Sequence, residues 1–316
     1  MRAVRVLDKQ IVVVDAPAPV ASAGRHLVKV DSVGICGSDL HIAAEWAPKI
    51  TLGHEISGHL EDGTPVAIWP REPCWSPDCP NCSTGHLELC DRGPGTLGVR
   101  QDGGMADVVS VADASLVRIP ASLPLSSACL VEPFACVMHG VQRANAQRGM
   151  RVAIIGAGPV GLAAAAVFVW AGCTVDVEAR YPHQAAAAER IGAHIGLGAD
   201  YDIAVDAAGS DTAIARCLDV MRPAGTILML GSYWIPPTLP ALFGNKEPTF
   251  ITAVGHSKGF YGRDADAAAS LLTHMPQAAE AIISHHVPLK DATHAFELAA
   301  DRKAGVIKVV LDVSDN

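Results

Sequence analysis

The segment that most restricts the fold is Val152-Ala-Ile-Ile-Gly156-Ala-Gly158-Pro159-Val160-Gly161, followed by LAAAAVFVW. No charged residue occurs from Val152 through Val175, a run long enough to cross a bilayer. Gly156, Gly158, Pro159 and Gly161 nevertheless break it into a short apolar strand, a turn and an Ala-rich helix, the texture of a buried βα unit rather than of a membrane span. In a GxGxxG turn between strand and helix, the first glycine permits the tight turn and the second lets the backbone approach a pyrophosphate. The third lets helix pack on strand. The helix N-terminus adds unpaired N–H groups and a dipole that favours phosphate. Gly156, Gly158, Pro159, Val160 and Gly161 are therefore candidate dinucleotide-binding residues.

The surroundings extend this reading. From Met150 onward, strand-like and helix-like runs alternate: RVAIIG, LAAAAVFVWAG, TVDVEA, HQAAAAERIGA, DIAVDAAG, TAIARCLDVM and GTILMLG. Such alternation predicts a doubly wound parallel sheet, the Rossmann type. Before about residue 140 the chain instead gives short β-like runs between Gly/Pro turns, among them VRVLDKQIVVV, HLVKVDSVGICG, PVAIWP and ADVVSVA. These predict an irregular, mostly antiparallel β domain. The tail VPLKDATHAFELAADRKAGVIKVVLDV reads as one amphipathic helix and one strand.

With 316 residues, half of them apolar, the chain is neither disordered nor collagen-like. Its net charge of −9 argues against a nucleic-acid partner held by phosphate neutralisation. The N-terminus carries Asp8 and Lys9 and lacks the long apolar core of a signal peptide. Five of the nine cysteines fall before position 91, a clustering that suggests metal rather than scattered disulfides. A soluble protein in the reducing cytoplasm is expected, without membrane or nucleic-acid partners.

The cysteines Cys74, Cys79, Cys82 and Cys90 form C-x4-C-x2-C-x7-C in a loop with Pro77, Pro80 and Gly85, which fits a closed structural zinc site. Disulfides or a redox pair are the other use of such spacing, disfavoured in a reducing setting. A zinc-ribbon module for nucleic acid would share the spacing, but Glu72, Asp78, Glu88 and Asp91 make its surroundings too acidic. A second set is Cys36-Gly-Ser38-Asp39-Leu-His41, then Gly53-His54-Glu55, then Val131-Glu132-Pro133. A thiolate, an imidazole and a carboxylate can leave one zinc position open for a substrate oxygen. Spacing alone does not bring Glu132 to the other two, and each residue has an ordinary structural use.

Cofactor choice turns on VDVEARYPHQ at the end of the second strand of the βαβ unit. If Ala179 holds the discriminating position, no carboxylate repels a ribose 2′-phosphate and Arg180 can pair with it, favouring NADP. If Glu178 points into the pocket instead, it accepts from the ribose hydroxyls and NAD is favoured. NADP is the preferred expectation.

GICGSDLH, GHEISG, the four-cysteine loop, DGGMAD, VEPFACVMHG, GAGPVG and AFELAADRKAGVIKVVL together resemble, in order and over nearly the whole chain, the zinc-dependent medium-chain dehydrogenases/reductases of alcohol and sorbitol dehydrogenase type. VEP looks more like the polyol and sorbitol branch than the animal alcohol dehydrogenases. The resemblance implies a GroES-like catalytic domain over 1–141, a Rossmann domain over 142–276 and a return segment, 277–316, completing the first. It implies that Cys36 and His54 bind catalytic zinc, with Glu55 or Glu132 completing the shell directly or through water. Asp39 would orient His54, Ser38 would hydrogen-bond the substrate hydroxyl, and His41 would be the outer member of a proton relay. The implied activity is hydride transfer between a secondary alcohol or polyol and NAD(P), in a homodimer or homotetramer. A zinc-independent quinone or enone reductase of the same fold, and a non-catalytic zinc- and nucleotide-binding protein, are the rival readings; retention of Cys36, His54 and Glu132 opposes the first. Two extra residues between Cys74 and Cys79, and short loops from His41 to His54 and from Glu55 to Cys74, depart from the family pattern and bear on the pocket's shape.

Overall fold

A computed structural model describes residues 1–46, 49–241, 243–259 and 262–314, with the side chains of 258 and 259 left aside. The chain divides into two compact units, one formed by residues 1–132, 265–274 and 283–316, the other by 133–264 and 275–282.

The first unit opens with a hairpin, Arg2–Leu7 against Gln10–Asp15. Its two-residue turn places Asp8 and Lys9 at φ +48° and +63°, the left-handed pair that matches the twist of the strands. The main sheet has seven strands, in the order Ile283–Pro288, Lys308–Asp312, Arg25–Gly34, Glu55–His59, Pro65–Ile68 and Leu116–Arg118, with Val108–Ala112 also paired to Arg25–Gly34. All pairings are antiparallel except that of Ile283–Pro288 with Lys308–Asp312. Val28, Val30, Ile56, Val66, Ile68 and Leu311 from these strands pack into one core, so alternating apolar side chains account for the sheet's buried side. Val310 pairs with Gly34, so the tail supplies an internal strand of this sheet.

The second unit is a six-stranded parallel sheet ordered His194–Ile195, Thr174–Glu178, Arg151–Ile155, Tyr201–Asp206, Met221–Met229, Thr249–Thr252. In sequence order that is 3-2-1-4-5-6, the doubly wound arrangement. Arg151–Ile155 lies centrally and is buried from Val152 onward, as an apolar run without alternation requires. The following helix, Pro159–Trp170, is apolar all round and buried from Gly161 to Phe168. At twelve residues it is about 18 Å long, well short of a bilayer. Among the described residues no helix is long and apolar enough to cross a membrane.

Candidate active site

Antiparallel register builds the first cluster. Gly34, the last residue of its strand, pairs with Glu55, the first of the next, so Cys36 and His54 emerge side by side at the same end of the sheet. A Cβ on Gly34 would overlap the Glu55 carboxylate, which is why glycine stands there. His54 is aimed by Gly53, whose φ of +94° and close approach to the Met105 backbone exclude a side chain. DGGMAD serves that aim. The N–H groups of Gly103, Gly104 and Met105 donate to the carbonyls of Thr51, Gly53 and Leu52 at 2.8–2.9 Å, clamping the loop that carries His54.

Cys36 is the N-cap of the short helix Gly37–His41. Fully buried Asp39 lies in that helix and serves two residues. Its Oδ2 accepts from the Cys36 N–H at 2.9 Å, and its Oδ1 lies 3.3 Å from Nδ1 of buried His54, within ion-pair range but off hydrogen-bond alignment. With Nδ1 turned toward the carboxylate, Nε2 is the ring atom left for a ligand. Burial disfavours the imidazolium, yet Asp39, followed by Cys36, outweighs it and raises the His54 pKa well above its ordinary value. A position that holds a proton this tightly suits a bound cation. One donor atom each from Cys36, His54 and Glu55 lies within 4.8 Å of the others, a spread one metal ion can bridge.

Glu55 is committed elsewhere as well. Both its oxygens accept from the Lys308 ammonium, at 2.6 and 2.7 Å, and that ammonium also donates to the Ile35 carbonyl at 3.1 Å. Both side chains are at most 2% exposed. Burial would lower the Lys308 pKa, but Glu55 outweighs it and drives it upward. Sequence reasoning missed Lys308: it sits in an apolar strand 253 residues from its partner, with no spacing signal. Glu132, on the helix Val131–Arg143, does not join the Cys36 group; its carboxylate lies within 4.8 Å of the Cys136 thiol one turn along its own helix. Ser38 Oγ lies 3.4 Å from His54 Nε2. His41, 45% exposed, has Nδ1 3.8 Å from Glu45.

The four-cysteine loop converges. Sγ atoms of Cys74 and Cys82 are 3.7 Å apart and those of Cys79 and Cys90 4.0 Å. Tetrahedral bonds of about 2.3 Å to a central zinc put sulfurs roughly 3.8 Å apart, whereas a disulfide needs about 2.05 Å. The residues thus fit zinc, and none of the four is in a disulfide. The four thiols shift one another: against the effect of burial, backbone N–H groups of Cys74 and Arg92 lower the Cys90 pKa, while burial and the neighbouring thiols raise that of Cys82. The two extra residues are absorbed by a turn in which Trp75 takes φ +55° and the Cys79 N–H donates to the Ser76 carbonyl.

In the second unit, Gly156 has φ +102°, and a Cβ on Gly161 would overlap the Gly156 carbonyl. A Cβ on Gly158 would meet nothing within 4 Å, so open space lies over the N-terminus of the helix Pro159–Trp170, as a bound pyrophosphate requires. Glu178 ends the neighbouring strand and its carbonyl accepts from the Gly156 N–H at 3.2 Å. Its carboxylate receives Arg216 Nε, from the helix Asp211–Val220, at 2.9 Å. Ala179 is half-buried, and the Arg180 guanidinium lies 5.6 Å from the Tyr181 ring centre. Arg216 carried no motif and was not foreseen.

Residues 22–121 match the family described as alcohol dehydrogenase GroES-like domain. The chain is 28% identical to the L-galactonate-5-dehydrogenase of Escherichia coli K12, with 96% of each chain covered. It is also 28% identical to a sorbitol dehydrogenase of Halalkalibacterium halodurans, with 94% of each covered. A zinc-binding dehydrogenase structure from Sinorhizobium meliloti 1021, solved bound to NADP, superimposes with a TM-score of 0.87 at 26% identity over 99% of both chains. With one GroES-like β unit, one Rossmann unit and relatives matched end to end, the chain is similar over nearly its whole length to alcohol and polyol dehydrogenases.

Proposed function

We propose that the protein interconverts a secondary alcohol or polyol and its carbonyl compound by hydride transfer with a nicotinamide cofactor. The observation that carries this is the convergence of Cys36, His54 and Glu55 donor atoms within 4.8 Å, backed by buried Asp39. The donor set is that of a catalytic zinc, which Cys36, His54 and Glu55 would hold; bound there, zinc would supply Lewis acidity that lowers the pKa of the substrate hydroxyl. Asp39 holds the His54 ring in orientation and the Cys36 backbone in place. Ser38 Oγ takes the hydroxyl proton as it gives up its own toward His41, which releases it to solvent, a role supported by Ser38's closeness to His54 Nε2 and by the exposure of His41. Cys74, Cys79, Cys82 and Cys90 hold a second, structural zinc.

The glycine turn Gly156–Gly161, with Pro159 and Val160 opening the helix, binds the pyrophosphate. NADP is preferred over NAD, because Ala179 offers no carboxylate and Arg180 supplies a cation beside it. A reducing, cytoplasmic setting is supported by a four-cysteine loop whose sulfur spacing fits metal rather than disulfides. A homodimer or homotetramer is supported by the edge strand Thr249–Thr252 and by Ile235 and Val254, 80% and 68% exposed.

Initial rates with a panel of polyols, simple secondary alcohols and their carbonyl forms, each with NAD and NADP, test the reading. Turnover of at least one pair, abolished in Cys36→Ser, is expected. A wild-type protein holding full zinc yet inert across the panel would favour the non-catalytic rival.

A further inference from the structure

We propose that Arg216 sets cofactor preference by masking Glu178. This deepens the NADP reading above and rests on it. Glu178 lies beside the glycine turn: Ile155 pairs with it across the sheet, and its carbonyl takes the Gly156 N–H. Its carboxylate, 44% exposed, is the acidic group nearest in sequence to Ala179 and Arg180. Left bare at the strand end, that charge would repel a ribose 2′-phosphate and offer itself to the 2′- and 3′-hydroxyls of NAD instead.

Arg216 removes that option. Its Nε donates to Glu178 Oε2 at 2.9 Å, while Nη1 donates to Asp219 Oδ2 at 2.6 Å, so the planar guanidinium is held from both sides. Two carboxylates raise the pKa of Arg216 above its ordinary value, so it stays charged at any working pH. The carboxylate is thereby drawn toward the helix Asp211–Val220 and neutralised, leaving Arg180 at the end of the strand with no carboxylate partner among the described residues. Since the ion pair is more than one-third exposed, it adds little to folding. Its removal should therefore alter cofactor binding with the fold intact.

Binding of NADP and NAD, each titrated calorimetrically at low ionic strength, tests this in wild type, Arg216→Gln, Arg216→Lys, Glu178→Gln and the Glu178→Gln/Arg216→Gln double variant, with thermal melts alongside. Arg216→Gln should weaken NADP about tenfold or more and leave NAD as tight as in wild type or tighter, with the melt unchanged. Arg216→Lys should restore most of the loss, and so should the double variant, since it has no carboxylate to mask. Equal losses for both cofactors, no loss, or a double variant as weak as Arg216→Gln would each overturn the role given to Arg216. A wild type that binds NAD more tightly than NADP would overturn the cofactor reading itself, whereas a wild type preferring NADP with an unaffected Arg216→Gln would leave that reading standing.

Discussion

Asp39 and Lys308 show how single buried charges organise the candidate centre. Asp39 was legible through the family resemblance that GICGSDLH carries, which implies a carboxylate behind His54, a common support for a ligand histidine. Lys308 was not, because a lysine in KVVL reads as a solvated end of a strand until the tail is known to lie beside Gly34. Once there, it neutralises Glu55 where both side chains are closed off from solvent. Lys308→Met should leave a buried, unpaired carboxylate and cost about 3–5 kcal/mol, a fall in Tm on the order of 10 °C. Adding Glu55→Gln should recover part of the loss, since the uncompensated charge is then gone. Calorimetry of the three variants checks this; a Tm for Lys308→Met within about 2 °C of wild type would show that Glu55 has another cationic partner.

Elements carry what short motifs announce. The strand, turn and helix around Gly156 were readable because each glycine answers a local steric demand, and the structure separates those demands. Gly161 faces the Gly156 carbonyl, so Gly161→Ala must push strand and helix apart, costing about 1–3 kcal/mol. Gly158 has extended backbone and open space, so Gly158→Ala should fold with unchanged Tm and lose cofactor affinity, the methyl taking room meant for phosphate. Cofactor titration with melts of both variants distinguishes the two; affinity surviving in Gly158→Ala would place the pyrophosphate elsewhere. The four-cysteine loop makes a parallel case. Its spacing announced a metal, but the turn through Trp75 that closes C-x4-C depends on a left-handed residue that spacing does not reveal. Elemental analysis should give two zinc ions per wild-type chain and one in either Cys36→Ser or Cys82→Ser. Only Cys82→Ser should melt markedly lower, because the zinc proposed there would hold a loop rather than a substrate. One zinc or none in freshly purified wild type would sink the two-centre reading.

At the scale of the whole molecule, alternation of strand and helix told the class of the second unit, while the position of Thr249–Thr252 at the sheet's end depends on pairings that periodicity cannot show. Among the described residues no strand pairs with its outer edge, and open edges invite another chain. The surroundings favour company rather than solvent: Ile235 and Val254 are largely exposed, and Phe243, itself 41% exposed, packs edge-on against Phe250 of that strand. Apolar side chains in such numbers beside a free edge cost solubility unless covered, and a second copy offers the same edge by two-fold symmetry. Wild type should therefore elute, with light-scattering detection, at twice or four times the 32.9 kDa chain mass. Ile235→Lys combined with Val254→Lys places like charges at the contact and should shift the population toward monomer while leaving the far-ultraviolet circular dichroism unchanged. A wild type that is monomeric at micromolar concentration would mean that the edge is covered in some other way. A double variant that stays oligomeric would move the interface to another face.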